Sequence, residues 1–346
     1  MKFDYVIGNP PYNSGTEKDT RPIWPKFVDE TNKISDIQCM IHPGRWVVPT
    51  SKYTSYRDNL LKNHLRNFIL YEDSDSIFPT LRGISGGVTI TFFDKNFIGN
   101  PTYTINNDKK QREYDINKKI FLNNFEEEVY TKVFNKLDVN KTLNDRVLNN
   151  GFGYSKHKLF NMTRDNSENM KDPIKVYTNN SFKSYTGKYV WKYIEKTSLD
   201  SYSDKLFSSR KILLSTIGDS LKINASVGVY NKIPMIIDKN ATAENHIFIY
   251  PEHDTDRELK LIQSLLLTKT ARYLMCISQK GQAVRGFENI PDYIELAKLL
   301  PEDELFTDKW FYKTFDFSKE LVNEIESRIS EKTDEYVRKW NENTAK

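Results

Sequence analysis

The residues Asn9-Pro10-Pro11-Tyr12 have the types and the order that suit chemistry on an exocyclic amine. The amine of adenine or cytosine is a poor nucleophile, because its lone pair is delocalised into the ring. Two acceptors aimed at its hydrogens favour a tetrahedral, nucleophilic nitrogen. The Asn9 side-chain carbonyl is one such acceptor and the Pro10 backbone carbonyl the other. Proline brings no competing N–H and fixes the backbone. Tyr12 adds a flat ring on which an extruded base can stack. The plain alternative is a strand that ends in a proline turn.

The residues around this tetrapeptide must put it somewhere useful. Tyr5-Val6-Ile7 is a short apolar run that predicts a buried strand of a parallel sheet, stopped by Gly8 and the prolines. Asn9 to Tyr12 then lie beyond the carboxyl end of that strand, where open α/β sheets hold their ligands. A helix is predicted from Ile23 to Glu30 with Pro25 in its first turn. Ile37 to Ile41 reads as a second strand, ended by His42-Pro43-Gly44-Arg45-Trp46. A helix follows around Tyr56 to Leu61, then a strand over Asn67 to Tyr71. Gly86 to Asp94 and Pro101 to Ile105 read as a hairpin turning at Gly99-Asn100.

Composition sets the outer bounds. The chain has 346 residues, enough for two domains, with 38% hydrophobic and 13% aromatic residues to fill their cores. A net charge of +4 permits a nucleic-acid partner without demonstrating one. Cys39 and Cys276 stand far apart, and the histidines show no ligand spacing, so neither a disulfide framework nor a metal site is expected. No apolar run approaches the roughly 18 residues of a membrane span, and no leader precedes Phe3; a cytoplasmic protein is expected.

Asn9-Pro10-Pro11-Tyr12 resembles motif IV of the amino-methyltransferases that use S-adenosyl-L-methionine (SAM). The motif alone does not choose the substrate, because adenine-N6 DNA enzymes, some RNA enzymes and glutamine methyltransferases of release factors carry it. The wider order narrows the choice. After the motif come a helix, a strand ending in Pro43-Gly44-Arg45-Trp46, a helix, then Asp73-Ser74-Asp75-Ser76-Ile77-Phe78-Pro79 and a Gly-Gly-Val strand. Across residues 3–105 this is similar to the site-specific adenine-N6 DNA methyltransferases of restriction–modification systems, in a gamma-like order with target recognition last. The family typically has Ser where this chain has Gly44. The resemblance implies a catalytic role for Asn9, Pro10, Pro11 and Tyr12. It implies a target-base pocket with Phe78 opposite Tyr12, and with Arg45 and Trp46 lining the cleft or meeting phosphate. Packing roles for Phe78, and for Arg45 over an aromatic ring, are the alternatives.

The fold expected is α/β: the C-terminal half of a SAM-dependent, Rossmann-like sheet over residues 1–124, followed by an α+β target-recognition domain over 151–300. Residues 125–150 read as a helical connector and 301–346 as a charged C-terminal helical segment. Gly151-Phe152-Gly153 is a weak candidate for a displaced SAM turn, since a polar stretch leads into it. Lysines and aromatics interleave from Lys183 to Tyr193. Leu259 to Met275 predicts one amphipathic helix, and the loop after it offers Gln279, Lys280, Gln282 and Arg285 as DNA contacts.

The family's sheet has strands before motif IV, carrying a glycine-rich SAM turn and an acidic residue for the ribose. Here two residues precede Phe3. The expected partners are double-stranded DNA and the SAM-binding half, as a separate subunit or as part of a longer chain. The cofactor-binding residues are not identified in this sequence. Two other readings stand beside this one: a DNA-binding specificity remnant without catalysis, and a protein glutamine methyltransferase. The second fits poorly with the roughly 200 residues after the catalytic motifs, which is about the size of a domain.

Overall fold

The computed structural model describes residues 2–14, 22–47, 53–62, 64–80, 84, 86–106, 108, 110–115, 120–149, 163–179, 189–198, 205–216, 229, 233–243, 246–278 and 286–329. They are mixed α/β and divide into two compact units, one chiefly within residues 1–131 and the other chiefly within the rest.

In the first unit, strand β1 (Phe3–Gly8) crosses through helix α1 (Trp24–Ile34) to strand β2 (Ser35–Pro43), and the two strands pair in parallel. Pro25 sits in the first turn of α1, where its missing N–H costs nothing. Trp24 and Val28, a helical turn apart, are fully buried against the sheet. Helix α2 (Thr54–Lys62) leads to strand β3 (Leu65–Tyr71). Strands β4 (Val88–Asp94), β5 (Thr102–Ile105) and β6 (Arg112–Glu113) follow, then helix α3 (Asn124–Phe134). The six-stranded sheet has the order β1-β2-β4-β3-β5-β6. Its core is rich in rings: Phe68 lies 5.0 Å from Trp46, 5.0 Å from Phe121 and 5.7 Å from Tyr103.

Two expectations are corrected here. Gly86–Asp94 and Pro101–Ile105 form no hairpin: β4 lies antiparallel between β2 and β3, while β5 pairs in parallel with the far side of β3. The buried flanks of β4 draw it to the middle of the sheet, and that long-range gain outweighs the local turn signal at Gly99. Nor is β1 a buried strand. It is the outermost strand, and Phe3, Tyr5 and Ile7 are 47%, 68% and 81% exposed, while only Val6 packs on the core.

In the second unit, strand β7 (Val147–Asn149) replaces the end of the expected helical connector, whose helix stops at Phe134. Strands β8 (Pro173–Asn179) and β9 (Tyr189–Glu195) form an antiparallel pair. Helix α4 (Lys205–Ser208) precedes β10 (Lys211–Ser215), β11 (Met235–Ile237), β12 (Ala241–Ala243) and β13 (His246–Ile249). One sheet runs β11-β10-β13-β7 and the other β12-β8-β9. Ile174, Val176 and Ile194 of the second share a core with Leu213, Ile237 and Phe248 of the first. The helix expected over 259–275 is two helices, α5 (Asp256–Leu267) and α6 (Lys269–Ser278). Thr268 is extended between them; its hydroxyl accepts from Ala271 N, and the Asp308 carboxylate accepts from Lys269 N and Thr270 N. Short helices α7 (Tyr293–Ala297) and α8 (Asp308–Thr314) precede α9 (Lys319–Arg328), which starts at the capping hydroxyl of Ser318. No helix among the described residues is long and apolar enough to cross a membrane.

Candidate active site

The strand register gathers the sequence candidates of the first unit. Strands β1, β2 and β3 run the same way, so their carboxyl ends share one edge of the sheet with the start of β4. Gly8 pairs with Met40, and Pro43, Val88 and Tyr71 form one cross-strand row. Asn9 to Tyr12, Gly44 to Val47, Asp73 to Phe78 and Gly86-Gly87 therefore all project from the same end of the sheet.

Asn9 is exposed and Pro10 buried, so the turn is anchored by a ring and offers an amide to solvent. Neither the Asn9 side chain nor the Pro10 carbonyl has a hydrogen-bond partner among the described residues. Ile23 N–H donates to the Tyr12 carbonyl at 3.2 Å, and Asn13 bridges Pro22, which ties the tetrapeptide to the start of α1. The Tyr12 side chain is half-buried. Its hydroxyl is buried without a partner among the described residues, and burial pushes its ionisation upward.

That hydroxyl makes the role of the ring testable. A buried unpaired O–H costs free energy, so Tyr12→Phe is expected to be neutral or slightly stabilising. Stacking on a base is worth about 1–3 kcal/mol and needs only the ring. In DNA carrying 2-aminopurine at the target position, Phe and Trp at position 12 should keep the fluorescence rise of extrusion, and Ala should lose most of it. Equal signals for the Ala and Phe variants would contradict stacking.

The second strand end is built on close glycine contacts. Gly44 N–H donates to the Gly87 carbonyl at 2.8 Å. A Cβ on Gly44 would lie 2.4 Å from the Gly86 carbonyl oxygen, so the serine typical of the resembling family does not fit this backbone. The short turn that follows sends neighbouring side chains to opposite sides: Arg45 is exposed, and Trp46 is fully buried with its indole N–H donating to Thr89 Oγ1 at 3.0 Å. Arg45 therefore reaches solvent at this edge, and Trp46 is placed in the core.

The third strand end holds Phe78, half-exposed. Ser74 organises this loop and was not singled out by its type. Its carbonyl accepts from Ile77 N and Phe78 N at 3.1 and 2.8 Å, and its hydroxyl accepts from Ile84 N at 3.0 Å. The sequence signal was Asp73, whose side chain accepts from Asp75 N to turn the chain. Gln279, Lys280, Gln282 and Arg285, like Gly151 to Gly153, lie outside the described residues.

Beneath the site, His42 is fully buried and stacks on Trp24 with centroids 4.2 Å apart. Its Nε2 meets Thr91 Oγ1 at 3.0 Å and its Nδ1 meets Thr89 Oγ1 at 3.1 Å. Burial pushes its pKa down to about 3 from 6.5. His42 is therefore neutral in the folded unit while the unfolded chain takes up its proton below 6.5, so its contribution to stability is lost as pH falls from 6.5 towards 3. The urea midpoint should show an acid slope that is smaller in His42→Phe by up to one proton, about 1.4 kcal/mol per pH unit. Parallel pH profiles for the two proteins would contradict this.

The comparisons with known proteins agree with the motifs. Residues 1–78 match the family model described as Eco57I restriction-modification methylase. An uncharacterized adenine-specific methylase of Mycoplasma pneumoniae is 29% identical over 157 residues, a match covering 40% of this chain and 37% of that protein. This chain thus spans well under half of the relative it matches. The type IIG restriction endonuclease BpuSI (10% identity, 94% of this chain, 54% of that one) has a TM-score of 0.38. The type IIL restriction-modification enzyme MmeI in complex with DNA (9%, 93% and 54%) has a TM-score of 0.40. At these scores neither likeness bears on function. The chain resembles the adenine methyltransferases of restriction–modification systems, as its motifs imply.

Proposed function

We propose that this chain supplies the methyl-acceptor side of a site-specific adenine-N6 DNA methyltransferase. One observation carries the reading: Asn9 and the Pro10 carbonyl have no hydrogen-bond partner among the described residues just past the carboxyl end of a parallel strand, and Tyr12 follows in a turn tied to the start of α1. The Asn9 carbonyl and the Pro10 carbonyl accept the hydrogens of the adenine amine and keep its lone pair out of the ring. Tyr12 and Phe78 hold the extruded base, and Arg45 meets the DNA backbone at the same edge. The second unit reads the target, and Gln279, Lys280, Gln282 and Arg285 of the loop after α6 add further DNA contacts. SAM, the cofactor of the resembling family, supplies an electrophilic methyl group when bound.

The described residues fit the acceptor side of this reaction and not the cofactor side. Among them, no strand runs through a glycine-rich turn into a helix whose amides would face a ligand. Among the described residues strand β1 instead has no partner on its outer edge, and its Phe3, Tyr5 and Ile7 side chains are exposed. Parallel strands are ordinarily covered on both faces. This edge and face are where the SAM-binding half completes the sheet, whether it comes from the same polypeptide or from another subunit.

Titration calorimetry with SAM tests the arrangement. The chain alone should bind more weakly than about 1 mM, and the assembly with both halves should bind in the micromolar range. Micromolar binding by this chain alone would show that it holds a cofactor site of its own. Ile7→Lys sharpens the test. On an open face it should change the urea stability of the isolated chain by less than about 0.5 kcal/mol and yet prevent completion of the site. A loss of several kcal/mol in the isolated chain would mean that the face is already covered.

A further inference from the structure

The outer face of the β8–β9 pair carries cations and rings in register. Lys175 on β8 pairs with Tyr193 on β9, and Tyr193 exchanges two backbone hydrogen bonds of 2.8 Å with Arg164 on its other side. Cross-strand partners share a face, so Lys175, Tyr193 and Arg164 form one row. The next row pairs Tyr177 with Trp191, whose rings lie 5.0 Å apart. Ile174, Val176 and Ile194 alternate with these residues and are buried on the other side.

The solvent-facing side is unusual in its content. Trp191 is 40% exposed, Lys175 and Arg164 are exposed, and Tyr193 is half-buried. Neither Lys175 nor Arg164 forms an ion pair among the described residues, whereas the neighbouring Lys192 is matched by Asp165 at 3.1 Å. Glu195 shares the face at the level of Pro173, and its carboxylate accepts from Lys171 N. The negative charge thus sits at one end; the exposed part of the face is Lys175, Arg164 and Trp191, while on the β12 side the same rows end in the buried Ala241 and Ala243, with Tyr177 packed against His246. An apolar protein partner would leave both cations uncompensated. A nucleic-acid strand satisfies both features, with phosphates on the cations and an unstacked base on the indole.

We infer that this face of the second unit binds unpaired nucleotides of the DNA substrate, with Trp191 as the stacking ring and Arg164 and Lys175 as phosphate contacts. The inference rests on the methyltransferase reading for its substrate, and it adds Lys175 and Arg164 to the interleaved stretch that holds Trp191 and Tyr193. It places DNA contacts on the β12-β8-β9 sheet in addition to those proposed for the loop after α6.

The test uses the full chain and a dT12 oligonucleotide, followed by fluorescence anisotropy and by quenching of tryptophan emission. Trp191→Ala should weaken binding about tenfold and abolish most of the quenching, and Trp191→Phe should retain most of the affinity. Arg164→Gln and Lys175→Gln should each lower the slope of log affinity against log salt by about 0.7. Circular dichroism and urea midpoints matching the wild type would show that the variants fold. Wild-type binding with all variants within twofold of it and unchanged salt slopes would overturn this surface and leave the methyltransferase reading intact. Absence of dT12 binding by the wild-type chain would likewise overturn this surface, whereas the methyltransferase reading is tested separately by methyl transfer to double-stranded DNA.

Discussion

Replacing Asn9 by alanine should lower single-turnover methyl transfer by more than about a hundredfold in the complete assembly, and leave DNA affinity nearly unchanged. The side chain is exposed, without a partner among the described residues, and supports no neighbouring element. Its loss therefore costs the fold little. What it removes is one of two acceptors at the reacting amine, in a place where the other is a backbone carbonyl that no substitution can replace. Losing one preorganised group at a developing charge typically costs about 3 kcal/mol. Asn9→Asp is the informative companion: it keeps an acceptor and adds a charge, so it should retain more activity than alanine. Rates within threefold of the wild type for Asn9→Ala would remove the amine-orienting role.

Gly87→Ala should be among the most damaging single changes in the first unit. Gly87 has a φ of +71°, and a Cβ there would lie 2.1 Å from the Tyr71 carbonyl oxygen and 2.8 Å from Glu72 Cα. Both obstacles are backbone, so no side chain can swing away. Strain at such a φ and an overpacked contact each cost about 1–3 kcal/mol, which puts the expected loss at about 3–5 kcal/mol in urea unfolding. The same residue accepts the Gly44 N–H, so the change also shifts the turn that presents Arg45. A loss below about 1 kcal/mol would mean that this strand end is far looser than its contacts indicate.

Much of the first unit was legible because its signals are local. Gly8 followed by two prolines ends a strand whatever surrounds it, and Pro25 fits only the start of a helix. What was not legible depended on distant partners. The place of β4 between β2 and β3 follows from which strands its two buried faces can satisfy, and no turn residue records that choice. The break at Thr268 has no glycine or proline; it is held by Asp308, about 40 positions away along the chain, whose carboxylate caps α6. Trp46 was grouped with Arg45 by adjacency, but consecutive residues of a tight turn diverge, one to solvent and one to the core. The openness of β1 was not legible: its apolar, β-branched run is the pattern of a buried parallel strand, and that pattern says nothing of what covers its faces.

The central claim is that Asn9 to Tyr12 present an adenine amine for methylation. Mass spectrometry of nucleosides from DNA incubated with SAM and the assembly of both halves tests it most directly. The account predicts N6-methyladenine with the wild-type chain and almost none with Asn9→Ala, at equal DNA binding. Methylated glutamine in a release factor with unmodified DNA, or DNA bound and left unmethylated by an assembly that does bind SAM, would contradict it.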